Sequence, residues 1–536
     1  MKPVLDQKDI FRGVLILTIG AILTKVLSAV YRIPFQNMVG DVGFYIYQQV
    51  YPFYGLALVL STNGFPVIIS KFYAEKKHDG QGKAASLLIV SFLFLFILGF
   101  LGFAGMYIGS QWLANLMNDP KLAILFQVIA IVFLILPFIS VYRGYFQGNN
   151  DMWPTAISQV GEQLIRVTTI LVLTAFLLNN DYSLYIVGGG AAFGSITGGI
   201  MSTAILSYYF WRKPALINFL MTGLQSLNWR ESFDIVKSLT IEGFAVCVTG
   251  MLLIFIQLAD ALNLYSLLVA SGIDALEAKQ LKGVYDRGQP LIQLGTVIVT
   301  SMSLSLVPLI SSEHFKKNRR LLLDKIRLSL QISIMVGVAG SIGLLSIISQ
   351  TNQMLFENKQ GSEVLGLLCL LIFLSSVIIT LSSILQGVGY TIFPASIILV
   401  GFALKYLLNI LLVRYFGTVG AASASIVSMM LILFMLVIKL NKVIKVTVIS
   451  KQYIRTISFA AFAMGGCLWA YIMVTDLLLP TSRLSVSLQA LSAVLLGGIL
   501  YLYLVLRKGA FKEEELSLLP FGSKLIYLLP VNRRSW

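Results

Sequence analysis

The sequence has few of the residues that build metal centres and disulfides. Its 536 residues include three cysteines and two histidines. Cys247, Cys369 and Cys467 lie inside apolar runs, whereas His78 and His314 lie in charged segments. Because these residues are scattered, the pattern excludes a disulfide framework and a Cys/His centre, and no metal is expected. Each cysteine is expected to be a small buried apolar residue.

Charged residues are also scarce. They make up 12% of the chain, against 57% hydrophobic residues, and they fall in short islands between long apolar runs. An ordinary globular domain is about a quarter charged, and a nucleic-acid-binding protein collects Lys and Arg on a polar surface. The composition therefore excludes a soluble globular protein and predicts no nucleic-acid partner. A Walker-type phosphate loop is missing too, since Gly82-Lys83-Ala84 lacks the earlier Gly and the Ser/Thr.

What the sequence does have is apolar runs long enough to cross a hydrocarbon layer of about 30 Å as helices. The first run is too long for a signal-peptide core, so it is predicted to be a retained helix. The predicted fold class is all-α, a polytopic protein of the lipid bilayer. Its 14 transmembrane helices are expected near 11 to 33, 43 to 70, 86 to 110, 122 to 145, 155 to 178, 184 to 210, 236 to 259, 284 to 311, 326 to 348, 362 to 386, 392 to 413, 419 to 440, 452 to 476 and 484 to 506.

The basic residues of the loops indicate how these helices are oriented. With the amino terminus inside, the inner loops and tails hold 28 Lys and Arg residues and the outer loops hold seven. Since inner loops of membrane proteins are enriched in Lys and Arg, both termini are predicted to be cytoplasmic. The longest outer connection, about 260 to 283, is expected to hold a short helix but no catalytic domain.

An internal repeat predicts how the helices are grouped. Motifs of the first half recur 239 or 240 residues later: Gln147-Gly148, Pro154 and Val160-Gly161 return as Gln386-Gly387, Pro394 and Val400-Gly401. A shift of six helices keeps the halves parallel, as in transporters that bind substrate between such halves. The predicted domains are an amino-terminal lobe (1–213), a carboxy-terminal lobe (214–450), two further helices (451–510) and a cytoplasmic tail (511–536).

The predicted spans hold five basic residues and two acids. An ionisable side chain at mid-membrane costs roughly 2.5 to 3.5 kcal/mol, so it usually faces a cavity, a partner or the interface. Lys25 and Arg32 share a polar stripe of the first helix, which predicts an anion site; the alternative is that Arg32 reaches the outer headgroups. Glu162 and Arg166, four residues apart, are expected to form an ion pair.

Other polar residues leave alternatives open. Arg143 is expected to line a cavity floor or to add to the inner positive charge, and Lys405 shares a helix face with Asn409. Glu242 is expected to titrate, to hold a cation or to pair with a basic neighbour. In the eighth helix, Gln289 and Gln293 begin a polar stripe that predicts a water-filled cavity. The stripe continues with the hydroxyl residues Thr296, Thr300 and Ser303. Their alternative role is to hydrogen-bond to carbonyls of the same helix.

Several motifs carry a family resemblance. They are Thr24-Lys25-Val26-Leu27, Tyr31-Arg32-Ile33-Pro34, Gly40-Asp41-Val42-Gly43, Gly144-Tyr145-Phe146-Gln147-Gly148 and Gln159-Val160-Gly161-Glu162. On these motifs the chain resembles the stage V sporulation protein B-like group, in the polysaccharide transporter branch of the MOP (multidrug/oligosaccharidyl-lipid/polysaccharide) exporter superfamily. The group is similar to the lipid II flippases. The resemblance implies a V-shaped central cavity between two six-helix lobes, alternating access and a polyprenyl-diphosphate-linked sugar as cargo.

The resemblance also implies site residues, with departures. Asp286-Arg287 matches an Asp-Arg pair at the start of helix 8 of those flippases, and Lys25 matches a basic position of their helix 1. A second arginine of their helix 1 aligns with Tyr31, so Arg32 falls one residue later, on a face about 100° away. A basic residue of their helix 2 has no counterpart. The substrate grip is therefore expected to be rearranged.

The leading interpretation is a flippase, not an enzyme, that moves an undecaprenyl-diphosphate-linked cell-wall precursor across the bacterial plasma membrane. No cofactor is expected, and a coupling cation or the membrane potential is expected to drive transport. The alternatives are a cation-coupled multidrug exporter of the same superfamily and a polytopic glycan ligase or polymerase. The oligomeric state stays open, and a monomer fits. Substrate contacts are expected from Lys25, Arg32, Arg287, Arg143, Arg166, Lys405, Gln289 and Gln293, and coupling or ion pairing from Asp41, Glu162, Glu242 and Asp286.

Overall fold

The structure is a computed structural model that describes residues 7–212, 216–311, 319–445, 449–478, 480 and 482–511. Throughout this part of the chain the regular structure is helical, which confirms the all-α class. In chain order the α-helices are α1 (Gln7–Val30), α2 (Arg32–Val59), α3 (Phe65–Asp79), α4 (Gln81–Ile108), α5 (Ser110–Leu116), α6 (Ala123–Ala130), α7 (Val132–Gly148), α8 (Met152–Asn179), α9 (Leu184–Trp211), α10 (Leu216–Gln225), α11 (Trp229–Ser238), α12 (Phe244–Gly250), α13 (Leu252–Ala270), α14 (Ala275–Asp286), α15 (Gly288–Ser311), α16 (Arg319–Ser346), α17 (Ile348–Phe356), α18 (Ser362–Gly387), α19 (Ile392–Ile444), α20 (Lys451–Leu478) and α21 (Arg483–Arg507).

Single glycines break two of the long helices where loops were expected. Gly40 inside α2 has φ 67° and ψ −175°, and Gly417 inside α19 has φ 54° and ψ −134°. Positive φ is strained for residues with a Cβ, so glycine is the residue that allows such a break without a longer linker. The expected gaps at 34 to 42 and 414 to 418 are therefore mostly helical.

Eleven described helical segments are long and apolar enough to cross a membrane. Two of them, Ile16–Asp79 and Ile392–Ile444, have 64 and 53 residues, and each exceeds twice the roughly 20 residues that one crossing needs. The chain is thus a multi-pass membrane protein. The count of 14 crossings stays a prediction.

Many apolar side chains point outward, as expected for a surface in contact with lipid. Ile108, Phe462 and Leu477 each expose more than 80% of their surface. The five tryptophans in the described residues are all at least 52% exposed: Trp112, Trp153, Trp211, Trp229 and Trp469. Exposed apolar surface of this extent is unstable in water, so it is consistent with the membrane assignment.

Contacts divide the chain into two compact units, which we describe separately. The first unit comprises Met1–Asp286 and Gly389–Ala424, and the second comprises Arg287–Val388 and Ser425–Trp536. In the second unit α20 and α21 pack on α16 around a cluster of buried apolar residues that includes Leu328, Ile457 and Met464. The predicted lobes, 1–213 and 214–450, divide the chain elsewhere and stay a prediction.

Two short π-helical segments meet inside the first unit. They are Leu60–Gly64, between α2 and α3, and Leu239–Gly243, between α11 and α12. A Cβ at Gly64 would lie 2.0 Å from the Cys247 Sγ, and the rings of Phe65 and Phe244 pack edge to face at 5.5 Å. Position 64 of this junction therefore has no room for a side chain.

Candidate functional site

Four tyrosines of the first unit surround two arginines, and we call this group the tyrosine cage: Tyr31, Tyr47, Tyr51 and Tyr54 around Arg32 and Arg166. Three of the tyrosines lie on α2 at spacings of four and three residues, which places their rings on one helix face. The fourth, Tyr31, joins α1 to α2, and its hydroxyl is 2.8 Å from that of Tyr47.

Arg166 reaches into the cage from α8. Its Nη2 donates to the hydroxyls of Tyr31 at 3.2 Å and Tyr47 at 3.1 Å, and its Cζ lies 4.1 Å from the ring centre of Tyr54. Arg32 stacks on Tyr51 with its Cζ 4.1 Å from the ring centre. These contacts are cation–π interactions, which partly replace the water that a buried guanidinium loses.

The cage is closed and its polar atoms are incompletely satisfied. Arg32 is 1% exposed and Arg166 is fully buried. The Nε and Nη1 atoms of Arg32, the Nε of Arg166 and the Nε2 of Gln163 are buried without a hydrogen-bond acceptor in the described structure. Because the guanidinium stays protonated in proteins, both arginines keep their charge there. The cage is therefore an enclosed, cationic group of unsatisfied donors.

The expected ion pair between Glu162 and Arg166 is wrong. Glu162 instead accepts from Arg143 Nη2 at 2.8 Å, and the same guanidinium contacts the Ser202 hydroxyl at 2.9 Å and the Ser61 carbonyl at 3.3 Å. Although both residues are on α8, Glu162 contacts Arg143 of α7, whereas Arg166 contacts Tyr47 of α2. Arg143 is thereby a buried structural residue with a full set of partners, not an exposed inner charge.

Lys405 lies in a second buried network of the same unit. Its ammonium is 2.7 Å from Asp260 Oδ1 and 3.0 Å from Asn409 Oδ1. Asn409 also donates to Asp260 at 3.0 Å, and the Tyr285 hydroxyl donates to the same carboxylate at 2.9 Å. Lys405 and Asp260 are both at most 1% exposed, so this is a compensated pair, unlike the cage.

Asp260 itself was missed because the seventh span was expected to end at 259. Helix α13 continues to Ala270, which places the carboxylate inside the helix bundle. The short helix expected in the outer connection is present as α14. Extending the seventh apolar run through Ala261 and Leu264 would have placed Asp260 inside the helix.

Two lysines of α14 form ion pairs with acids. Lys282 is 2.6 Å from Asp286, and Lys279 is 3.0 Å from Asp119. Asp119 also accepts from the hydroxyls of Tyr45 and Tyr185, at 3.2 Å and 2.7 Å. Asp41, expected to couple or pair, accepts from Gln36 Nε2 at 2.9 Å.

Lys25 differs from the other membrane lysines. It is half-buried on α1, and among the described residues no hydrogen-bond or ion-pair partner for its ammonium is found. Seven residues separate it from Arg32, about 10 Å along a helix. Lys25 and Arg32, predicted to form one polar stripe, therefore have different surroundings. Arg32 is enclosed in the cage, whereas Lys25 has no partner among the described residues.

Glu242 pairs with a basic neighbour, one of the alternatives open for it. Lys71 Nζ is 3.1 Å from its carboxylate, and the two side chains are 52% and 38% exposed. The pair is therefore at the surface of the unit. This geometry favours the surface ion pair over an enclosed acid.

The second unit contains the remaining predicted residues. Arg287 is buried and donates to Asn352 at 3.2 Å and Asn358 at 2.8 Å. Gln289 is buried and Gln293 is half-buried. The hydroxyls of Thr296 and Thr300 bond to carbonyls one turn earlier, so they satisfy the helix itself and give no support to a water-filled stripe; the side chain of Ser303 lies outside the described residues.

No group of three or more His, Cys, Asp and Glu residues suited to a metal is found where the structure describes the chain. The tyrosines of the cage were the other feature missed. Their i, i+4, i+7 spacing was visible in the sequence, but aromatic stripes are usually core packing, and only the two arginines mark this one as polar.

Long apolar helices that bury several ion pairs and two further arginines define a multi-pass helical membrane protein. The chain belongs to the family described as "Polysaccharide biosynthesis protein", whose model matches residues 10–314. The resemblance to a polysaccharide family that the sequence motifs indicate is thereby confirmed.

Curated relatives agree with this family. The chain is 42% identical to the uncharacterized membrane protein YabM of Bacillus subtilis (strain 168), over 96% of each chain. It is 25% identical to the lipid II flippase MurJ of the same organism, covering 78% of this chain and 80% of MurJ. It is also 25% identical to the stage V sporulation protein B of that organism, covering 97% and 99%.

Solved structures show the same fold. A MATE-family multidrug transporter of the MOP superfamily in its inward-facing conformation matches with a TM-score of 0.62 and 15% identity, covering 79% of this chain and 96% of that one. The lipid II flippase MurJ in an inward closed conformation matches with a TM-score of 0.59 and 16% identity, covering 92% and 97%.

Proposed function

We propose that this protein is a flippase that moves a polyprenyl-diphosphate-linked glycan, such as the peptidoglycan precursor lipid II, across the bacterial plasma membrane by alternating access. Both termini lie in the cytoplasm in this proposal, and the protein performs no covalent chemistry. The observation that carries it is Lys25, a half-buried ammonium within a membrane helix that has no partner among the described residues.

The free charge of Lys25 favours an anionic cargo. An uncompensated charge in a membrane helix costs roughly 2.5 to 3.5 kcal/mol, and a diphosphate would offset that cost through charge-assisted hydrogen bonds. Because Arg32 is buried and stacked on the ring of Tyr51, we assign the direct contact with the diphosphate head group to Lys25.

The acids of the bundle argue against a cationic cargo. A drug exporter that grips cations needs carboxylates free to receive them, but Glu162 is held by Arg143 at 2.8 Å and Asp260 by Lys405 at 2.7 Å. The lipid II flippase MurJ among the relatives supports a lipid-linked glycan instead.

The test is flipping of fluorescent lipid II in proteoliposomes that contain the full-length protein. Lys25→Ala removes one charge-assisted contact worth about 1.5 to 3 kcal/mol, so the flipping rate at low substrate is expected to fall roughly tenfold or more. Lys25→Arg should retain most activity. Lys442→Ala, an exposed lysine, is the matched control and should behave as the wild type.

Two results would contradict the proposal. One is a flipping rate of Lys25→Ala equal to that of the control. The other is absence of flipping by the wild type together with Lys25-independent resistance to cationic drugs in an exporter-deficient strain, which would favour the multidrug exporter.

A further inference from the structure

The ammonium of Lys279 on α14 fills a pocket that the cargo proposal does not use. We call it the outer pocket and define it by Asp119, Tyr45, Tyr185 and Tyr265. The ammonium is 3.0 Å from Asp119 Oδ2 and donates to the Tyr185 hydroxyl at 2.6 Å. It also lies 5.4 to 5.8 Å from the ring centres of the three tyrosines. A carboxylate surrounded by aromatic rings is a site suited to an ammonium group.

The outer pocket is assembled by elements other than α14. Tyr45 lies on α2, Tyr185 on α9 and Tyr265 on α13, and Asp119 lies in the turn between α5 and α6. The hydroxyls of Tyr45 and Tyr185 both donate to the Asp119 carboxylate, which is 3% exposed. These two bonds satisfy oxygen atoms but bring no positive charge. Because a buried carboxylate without a cation is costly, the pocket favours the presence of Lys279.

A second contact lies on the same face of α14. Gly283 follows Lys279 by four residues, which places both on one side of the helix. A Cβ at Gly283 would lie 2.1 Å from the carbonyl oxygen of Asp41, next to the break in α2 at Gly40. The backbone of α14 therefore touches α2 directly, and the Lys279 contact holds the helix one turn nearer its amino terminus.

Both ends of α14 are suited to a change in its direction. Four residues join it to α13, and among them Gly272 has φ 93° and open space where a Cβ would be. At the other end α14 stops at Asp286 and α15 starts at Gly288, and the second unit begins directly after α14. Hinges of moving segments are usually a few residues at the ends of elements. The side chain of Lys279 is 18% exposed, so water can replace its partners when the contact opens.

We propose that Lys279 is a gating residue: its ammonium holds α14 in the outer pocket while the outer side of the helices is closed, and it leaves the pocket when that side opens. The predicted topology places α14 and Asp119 on the outer side. The inference rests on the alternating access of the proposed function. Lys279 touches no cargo in this proposal; it is a positioning residue that sets the balance between two conformations.

The experiment measures distances between two spin labels by pulsed electron paramagnetic resonance, with the full-length protein in phospholipid nanodiscs. The labels are attached to cysteines at Gln280 of α14 and Leu116 of α5, which are both exposed, in a background without Cys247, Cys369 and Cys467. The parent should give mainly the short distance of the docked helix. Lys279→Ala should raise the ratio of long to short distances roughly tenfold, because it deletes a hydrogen bond between charged groups.

Further variants locate the effect. Asp119→Asn should lengthen the distances as Lys279→Ala does, and the double variant should add little, since both remove one interaction. Lys279→Arg keeps the charge and should keep most of the short distance. Lys121→Ala is the matched control: this exposed lysine is 5.7 Å from the ring centre of the same Tyr185, and its removal should leave the distribution unchanged.

Thermal unfolding and size-exclusion profiles of each variant separate gating from folding. A merely structural role for Lys279 would lower the midpoint of unfolding in Lys279→Ala and leave the distances of the folded protein unchanged. That outcome would overturn the proposal. Equal lengthening in Lys121→Ala, or additive effects of Lys279→Ala and Asp119→Asn, would do so as well.

The distances also distinguish this inference from the flippase proposal, because they are measured without cargo. Lys25→Ala should lose flipping of lipid II and keep the distance distribution of the parent. A parent that does not flip lipid II, together with lengthening in Lys279→Ala, would contradict the cargo and leave the gating residue supported. Normal flipping by the parent with unchanged distances in Lys279→Ala would contradict the gating residue alone.

Discussion

At the scale of single residues, the first unit stabilises buried cations in two different ways. Arg143 and Lys405 each have a carboxylate within 2.8 Å, whereas Arg32 and Arg166 are surrounded by aromatic rings. A buried pair adds little net stability, but removal of one partner leaves an isolated charge. The paired sites are therefore more sensitive to single substitutions than to joint ones.

Asp260→Asn is expected to lower the stability of the protein substantially. The change leaves the fully buried Lys405 ammonium without its carboxylate, which costs about 3 to 5 kcal/mol. The double variant Asp260→Asn with Lys405→Met removes both charges and should recover much of the loss. Thermal unfolding in detergent measures both. If the double variant were no more stable than the single one, the ion pair would not be the cause.

At the scale of helices, the two π-helical segments form a junction between α2–α3 and α11–α12. It requires Gly64, because a Cβ there would overlap Cys247 Sγ at 2.0 Å. On the other side of the junction a Cβ at Gly243 would lie 2.9 Å from the Phe65 ring. Both helices are thus held close by the absence of two side chains.

Gly64→Ala should weaken this junction by roughly 1 to 3 kcal/mol, the usual cost of overpacking. Adding Cys247→Ala removes the atom in conflict and should restore most of the stability. Gly189→Ala, where a Cβ meets nothing within 4 Å, is the matched control and should be neutral or slightly stabilising. Unfolding midpoints of the four proteins check this. Equal losses in Gly64→Ala and Gly189→Ala would show that packing against Cys247 is not the constraint.

At the scale of the whole molecule, the 28 to 7 distribution of basic residues predicts the orientation in the membrane. In a variant without Cys247, Cys369 and Cys467, a cysteine at exposed Lys77 is expected to react with an impermeant maleimide only after the cells are opened. A cysteine at exposed Asn180 is expected to react in intact cells. Labelling of both positions in intact cells, or of Lys77 alone, would reverse or refute this topology.

The sequence predicted the membrane class, the positions of most helices and the family, because apolar periodicity and loop charge are local signals. It did not predict which partner each buried charge would have. Glu162 and Arg166 are four residues apart, yet one points to Arg143 and the other to Tyr31 and Tyr47. Pairing between helices depends on their rotation and register, and neither is encoded in a spacing within one helix. The tyrosine cage is visible only after α1, α2 and α8 are packed.

The outward position of every tryptophan in the described residues determines what the tryptophan fluorescence of this protein reports. Trp112, Trp153, Trp211, Trp229 and Trp469 face the surroundings, so their emission reports the lipid or detergent around the helices rather than the packed interior. Brominated lipids should quench this emission in the folded protein. Quenching of tryptophan by such lipids therefore measures how the outer surface of the helices contacts the membrane, and it is insensitive to the buried cage.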